Sequence, residues 1–520
     1  MRRALRPTPS TLPDSAPTSI PAPVGGWNVR DALAAMPITD AISLDNWYPE
    51  ATHVRPRQGS DTYASGIGSQ VESILSYTDG PNLKLFVAAG NVFQNISTVG
   101  VSGTVTSGTI AAGTAAFQNS RFESKSFGTP GGRFLVAVNG ADERQIFNGT
   151  TWFQGTTYSS STIDSFSNVE VFQRRLFYLE KDSLRFIYHT NTESIGGTVA
   201  AFDLSPLLSS GGNLIDFGTW TRDGGSGMDD LIAFSSDLGQ VAIYQGIDPG
   251  DATNWSLLGV FRVAEPISNR SMIKYGAELL IATKAGITPM AAIVSGLVQQ
   301  GVVTDKIQSA IKAAAGIYRA NFGWEVFWAA QLDWLIMNVP VAEGKSQQQY
   351  VMNTQTGAWC RYIGLNANTW AEHGGLLYFG ADGKVIQAGT TSNADDGNDI
   401  DVDARQASSS YGLPGRLKFF RMFRPLINTD GKIEFAADIN VDFGDIIPTN
   451  VPAATPIVVG EWDVATWDDF FWADEPMPSI FWQSSGAIGT YGGIRMKGAV
   501  NTLAIEWFGT DIVFEPGGML

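Results

Sequence analysis

The chain has 520 residues, enough to bury a large core and to divide into about two to four domains, with 16% charged residues, 11% aromatics and 57 glycines. That balance suits a turn-rich all-β protein and argues against a helical one. With 51 acidic against 34 basic residues, the formal net charge of −17 argues against tight, sequence-independent nucleic-acid binding, and the lone Cys360 excludes an intramolecular disulfide framework.

Residues 1–25 carry Arg2, Arg3 and Arg6 and six prolines but no apolar core segment. They read as an extended or disordered arm, either a free tail or one that orders on a neighbouring subunit, and not as a secretory signal. In residues 26–65, aromatics, Asp/Asn and prolines alternate with little helical or strand period, and Pro37 stops a single helical turn at Ala32–Met36. Such a segment is expected to dock on a surface supplied elsewhere.

Residues 66–392 repeat one grammar of apolar strand, Gly/Asp/Asn turn and apolar strand. It occurs in Leu83–Phe93, Arg133–Phe147, Arg175–Tyr188, Asp230–Tyr244, Glu278–Met290 and Trp324–Val339. The cleanest copy is Gly374–Gly389, where Leu376–Phe379 and Val385–Ile386 read as the strands and Asp382-Gly383 as the hairpin turn. Seven hairpins roughly 30 to 60 residues apart predict a mainly β, β-propeller-like body of about six to eight blades. A large β-sandwich or two stacked barrels would show the same hairpins.

One inserted helix is predicted over Thr304–Arg319, with Thr304 as N-cap, Asp305 at the positive end of the dipole, and Ile307, Ile311, Ala314 and Ile317 on one face. It either packs on the propeller rim or contacts another subunit. Residues 393–407 form an acidic linker. Five carboxylates fall within Asn393–Asp403, but a calcium loop with Gly397 sixth would put Ser392 first and Ala394 third, so a solvated connection is the simpler reading.

Residues 408–520 read as a C-terminal β domain, with a one-face-wet strand in Arg416–Ile427, a strand pair in Lys432–Phe443 and two last strands in Tyr491–Phe514. Trp462, Trp467 and Trp472, five residues apart among acidic side chains, match neither the helical nor the strand period. They either make a subunit or adaptor contact or fill a small local core.

Catalytic signals are weak. Gly344-Lys345-Ser346 ends like a phosphate loop, but the required earlier glycine is Val339, so it reads as a hairpin tip. His53, His189 and His373 lack zinc-ligand spacing, and Cys360 lies in a strand-like run as a core residue. No cofactor or metal is expected. No run reaches the 18 or so apolar residues of a membrane span.

Several linear motifs carry a resemblance. Leu44 and Asp45-Asn46-Trp47-Tyr48-Pro49 precede Val54-Arg55-Pro56-Arg57-Gln58-Gly59, and further matches are Thr304–Gln308, Asn321–Trp324, Asn338–Pro340, Gln347–Asn353, Gly357–Cys360, Leu377–Gly380 and Phe514–Gly518. From about residue 26 to the end, the chain resembles the tail nozzle (tail tubular protein B-like) family of short-tailed bacteriophages. The resemblance implies a structural, non-enzymatic virion protein of the tail, assembled in the host cytoplasm. It would form a six-fold homo-oligomeric ring that binds the head-to-tail adaptor protein and a tail fibre or spike protein. Genomic DNA would be a transient passenger that an acidic wall does not grip. Interface candidates are Trp27, Trp47, Tyr48, Trp462, Trp467 and Trp472; no channel-lining residue is assigned. The competing readings are a receptor- or glycan-binding propeller and a glycan hydrolase.

Overall fold

The computed structural model describes residues 17–97, 106–107, 116–155, 165–221, 228–296, 302–431, 435–449, 477–479 and 481–519. Residues 1–16 of the arm, and Trp462, Trp467 and Trp472, lie outside this set. The chain forms two compact units, Arg57–Ile400 and a second made of Met1–Pro56 with Asp401–Leu520.

The first unit is a β-propeller of seven small antiparallel sheets, blades I to VII. Blade II is Glu123–Thr129, Gly132–Val138, Gln145–Phe147 and Trp152–Gln154. Blades III, IV and VI, starting at Phe166, Leu214 and Glu325, repeat this four-strand meander, and blade V, starting at Met272, has three strands. The strand Gly59–Asp79 serves two blades. Residues 71–79 pair with Asn82–Ala89 in blade I, whereas residues 59–70 pair with Leu376–Thr390 in blade VII. The first strands neighbour one another in sequence order, and Thr369–His373 of blade VII returns to Gly59–Asp79, which closes the ring.

Middle strands such as Leu231–Ser236 are buried along their whole length, because each blade is covered on both faces. The apolar cores accordingly lie between consecutive blades. Phe186 of blade III stacks on Phe234 of blade IV at 4.3 Å, and Phe86 of blade I meets Phe147 and Trp152 of blade II at 4.8 and 5.2 Å.

Six of the seven expected hairpins form where the sequence places them, and the seventh is displaced. Leu376–Thr390 is one continuous strand, in which Gly383 (φ +68°) marks an irregularity in the pairing rather than a reversal. The chain reverses at Gly374-Gly375, whose φ values of +58° and +80° suit a two-residue loop without Cβ strain, and His373 pairs with Leu376.

The helix is Gln308–Tyr318, entered through a 3-10 turn at Asp305–Ile307, and a second short helix spans Met290–Val294. Thr304 stands at the N-cap position of the 3-10 turn but makes no side-chain capping bond, for its Oγ1 accepts the Ile287 N–H at 3.0 Å. Ile307, Ile311 and Ala314 are buried, but Ile317 is 72% exposed. Each three-residue step falls about 60° short of a full turn, so the second such step carries Ile317 off the buried face. Gly344-Lys345 is a hairpin tip, and Cys360 is buried in the strand Trp359–Ile363.

The acidic residues after blade VII are not a solvated connection throughout. Asp395 receives both terminal nitrogens of buried Arg57, Nη1 at 2.9 Å, and the Ser60 hydroxyl at 2.8 Å. Asp396 accepts the Thr62 hydroxyl at 2.6 Å and pairs with Lys384. These bonds fasten the residues that follow the last strand to the strand that opens the ring.

The second unit contains two sheets. In one, Arg416–Thr429 lies between Ile505–Met519 and the strands Gln483–Gly489 and Met477–Ser479, and Thr18–Pro21 pairs with Ile505–Met519. In the other, Ala436–Val441 pairs with Gly492–Val500, and Asp40–Asp45 with Ile400–Gln406. Lys432–Phe443 thus holds one described strand rather than a pair. The segment read as surface-docked supplies core: Trp47 packs edge-on against Phe435 and Trp507 at 5.7 and 5.9 Å.

Arg57→Met leaves Asp395 with Ser60 and partial access to water, and is expected to lower unfolding stability by about 3 kcal/mol. Denaturant midpoints check this; a loss under 1 kcal/mol or so would mean that the pair does not hold the closure.

Candidate functional site

The first strands of the seven blades surround a cavity of about 220 Å³ lined by Glu123, Lys125, Asn168, Glu170, Asp216 and Arg270, with Glu325, Thr369 and Trp370 beyond. Every one of these residues lies on or beside a first strand, where a side chain pointing inward meets those of other blades. Two charged groups organise the site.

Arg270 is buried just before blade V. Its Nε donates to Glu123 of blade II, and Nη2 donates to the Phe122 carbonyl at 3.0 Å and to Ser73 Oγ of blade I at 3.1 Å. Nη1 reaches Thr369 Oγ1 of blade VII at 3.1 Å and lies 3.7 Å from Glu325 of blade VI. One guanidinium therefore joins five blades. Burial alone would lower its pKa, but Glu123 and Glu325 outweigh that and keep it above its ordinary value.

Asp216 of blade IV, also buried, accepts Asn168 Nδ2 of blade III at 2.8 Å, its neighbour's Phe217 N–H at 2.8 Å, and the N–H groups of Ser271 and Met272 in blade V at 2.8 and 2.7 Å. Burial pushes its pKa well up, opposed by the backbone N–H groups. Lys125 and Glu170 bridge blades II and III at 2.8 Å, and Glu170 raises the Lys125 pKa against burial. Burial pushes Glu325 up to about 7, opposed by Arg270. The site thus carries more carboxylates than cations, and burial raises the pKa of two of the carboxyls, Asp216 and Glu325.

A second, larger cavity of about 470 Å³ lies beside the Asp395 and Asp396 bonds, lined also by Lys345, Asn366 and Lys384. Among the described residues, neither cavity is lined by a sequence-chosen aromatic. Trp27, Trp47 and Tyr48, expected at a subunit or adaptor interface, are buried within the chain. An aromatic-rich stretch lacking a regular period can supply core. The three histidines stay apart, with His53 beside Phe508, His189 buried and His373 bonded to Ser76, and no cluster of metal-binding side chains occurs among the described residues. The axial set had no sequence signal, because its members come from seven separate stretches.

Glu325 gives a pH test. The unfolded chain releases this proton near pH 4.5 and the folded chain near 7, so the stabilising contribution is complete below about 4.5 and lost as pH rises through about 7. That loss amounts to about 3 kcal/mol. Glu325→Gln is expected to flatten the fall in stability between pH 5 and 8, measured by denaturant unfolding; an unchanged slope would show that Glu325 titrates normally.

No family model and no curated protein matches the sequence. Among solved structures, the chain is similar to the extracellular domain of a hybrid two-component system from B. thetaiotaomicron, with 10% identity and a TM-score of 0.41 over 62% of this chain and 40% of that one. It is also similar to Saccharomyces cerevisiae Sqt1 (13%, 0.38, over 64% and 98%) and to the β-propeller domain of Myceliophteria thermophila Cps50 (12%, 0.38, over 63% and 98%). The chain spans 40% of the length of the first of these. The propeller assignment rests on the chain's own closed ring of sheets.

Proposed function

We propose that this propeller protein is the repeating subunit of a bacteriophage tail nozzle, a structural virion protein without catalytic activity. Six copies would form a ring below the head-to-tail adaptor, hold tail fibres or spikes, and conduct the genome during ejection. The linear motifs around Asp45–Gly59 and Phe514–Gly518 support the family reading.

The observation that carries the mechanism is the filled axis. A cavity of about 220 Å³ crossed by Arg270 and Asp216 cannot pass a duplex whose major groove alone is about 12 Å wide. In a nozzle the channel would therefore run between copies, walled by their outer surfaces. A chain of net charge −17 suits that role, because the wall would repel the phosphate backbone. Contacts between unlike surfaces of successive copies would close the ring.

A glycan hydrolase has one observation in its favour, the Glu325 carboxyl held near pH 7, where a general acid works. Its bonding with Arg270 and the Trp370 N–H, at 3.1 Å, favours a structural carboxyl.

Mass photometry of the full chain, followed by negative-stain averages, tests the proposal. A species of about six subunit masses with a central opening is expected. A monomer at all concentrations, both alone and with the adaptor, would contradict it. Release of new reducing ends from host-surface polysaccharide would instead favour the hydrolase.

A further inference from the structure

The cavity of about 470 Å³ belongs wholly to the propeller unit, since every residue that lines it falls within Arg57–Ile400. Its size is that of a small-molecule site, but its lining is far more polar than the apolar pockets that take drug-like ligands. Lys345, Asn366, Asp382, Lys384, Asp395 and Asp396 bring donors and acceptors to it from blades VI and VII and the segments that follow them. Two local distortions build this wall. Between the pairs Asp382–Gln70 and Lys384–Ser65, residues 66–69 stand opposite Gly383 alone. A bulge of this kind re-aims the side chains around it, and here Asp382, Lys384 and Ile386 all line the cavity. The other distortion is the hairpin tip of blade VI. Gly344 has φ +69°, and a Cβ there would lie 2.6 Å from Gln70 Oε1, so glycine lets the tip lie close against the Gln70 amide. Gln70 thus serves both sides, as the register partner of Asp382 and as the support under Gly344, next to Lys345. Its buried Nε2 meets no acceptor among the described residues.

The charges divide into a committed set and an available one. Asp395 is held by Arg57 and Ser60, and Asp396 by Thr62 and Lys384. Burial would raise the Asp396 carboxyl, but the Thr62 hydroxyl and N–H and Lys384 hold it below its ordinary value, so it stays ionised and offers no acid for glycoside cleavage. Lys345 and Asp382 have no ionic or hydrogen-bonding partner among the described residues, and they do not pair with each other. With Arg57 counted beside Asp395, the cations Lys345, Lys384 and Arg57 balance the carboxylates Asp382, Asp395 and Asp396. A wall without net charge, dense in both donors and acceptors, suits a neutral ligand whose groups both donate and accept, which is the property of sugar hydroxyls. Phe379, the aromatic of the lining, is buried, so recognition runs through hydroxyls rather than through stacking on a ring face.

We propose that this cavity binds a neutral saccharide, with Asp382 accepting from its hydroxyls and Lys345 donating to them. The site binds the sugar without cleaving it. It does not depend on the nozzle reading, because a monomer carries the same cavity as a subunit of a ring.

Saturation-transfer NMR of the full chain with methyl α-glucoside, methyl β-galactoside, methyl α-mannoside and maltose tests the site. At least one of these is expected to bind with a dissociation constant on the order of 1 mM. Asp382→Asn and Lys345→Met each remove a charge that no other described residue uses. Both are expected to weaken that binding about tenfold or more while leaving the thermal midpoint unchanged. Binding that neither substitution alters would put the sugar elsewhere and overturn the site. Saturation transfer to none of the sugars would overturn it as well. Preferential binding of L-alanine, a zwitterion able to span the same two charges, would overturn the saccharide as its ligand.

Discussion

The buried guanidinium of Arg270 is the interaction on which the propeller depends. A ring of sheets has no strand shared by all its members, so whatever sits on the axis must serve blades that are otherwise linked only to their neighbours. Arg270 meets groups from blades I, II, VI and VII while standing at the entrance to blade V, and Asp216 joins blades III, IV and V. A planar fork of five donors is suited to such a junction, because it can address several carbonyls, hydroxyls and carboxylates at once. The cost of burying it is offset by the surrounding acids. The same arrangement fills the axis of the propeller.

The periphery follows a different logic. The ring begins and ends at the strand Gly59–Asp79, and the bonds from Arg57, Ser60 and Thr62 to Asp395 and Asp396 fix the place where the two ends meet. In the other unit, Trp47 packs against Trp507 and Phe435, and Arg405 donates to the Phe443 and Gly444 carbonyls.

Much of this architecture was legible in the sequence, because hairpins are local: apolar runs bracketing Gly, Asn or Asp specify strand, turn and strand within about fifteen residues. The failures are instructive for the same reason. Asp382-Gly383 and Gly374-Gly375 are both good turns, and the choice between them was made by pairing to Gly59–Asp79, some 300 residues away in sequence. Ile317 lost its burial to small angular drift within a short helix, and Thr304 was taken by a more distant N–H. The burial of Trp47 was not legible because its strand, Trp47–Pro49, is too short to show a period. The axial site was invisible, since its residues stand at positions from 73 to 369 and share nothing until the ring closes.

Amide hydrogen exchange on wild type and Arg270→Met measures the dependence on this residue most directly. If Arg270 holds the ring, protection falls together in the first strands of blades I, II, V, VI and VII, while the outer strands of blade III keep theirs. Loss confined to blade V would contradict that role and make Arg270 a local packing residue.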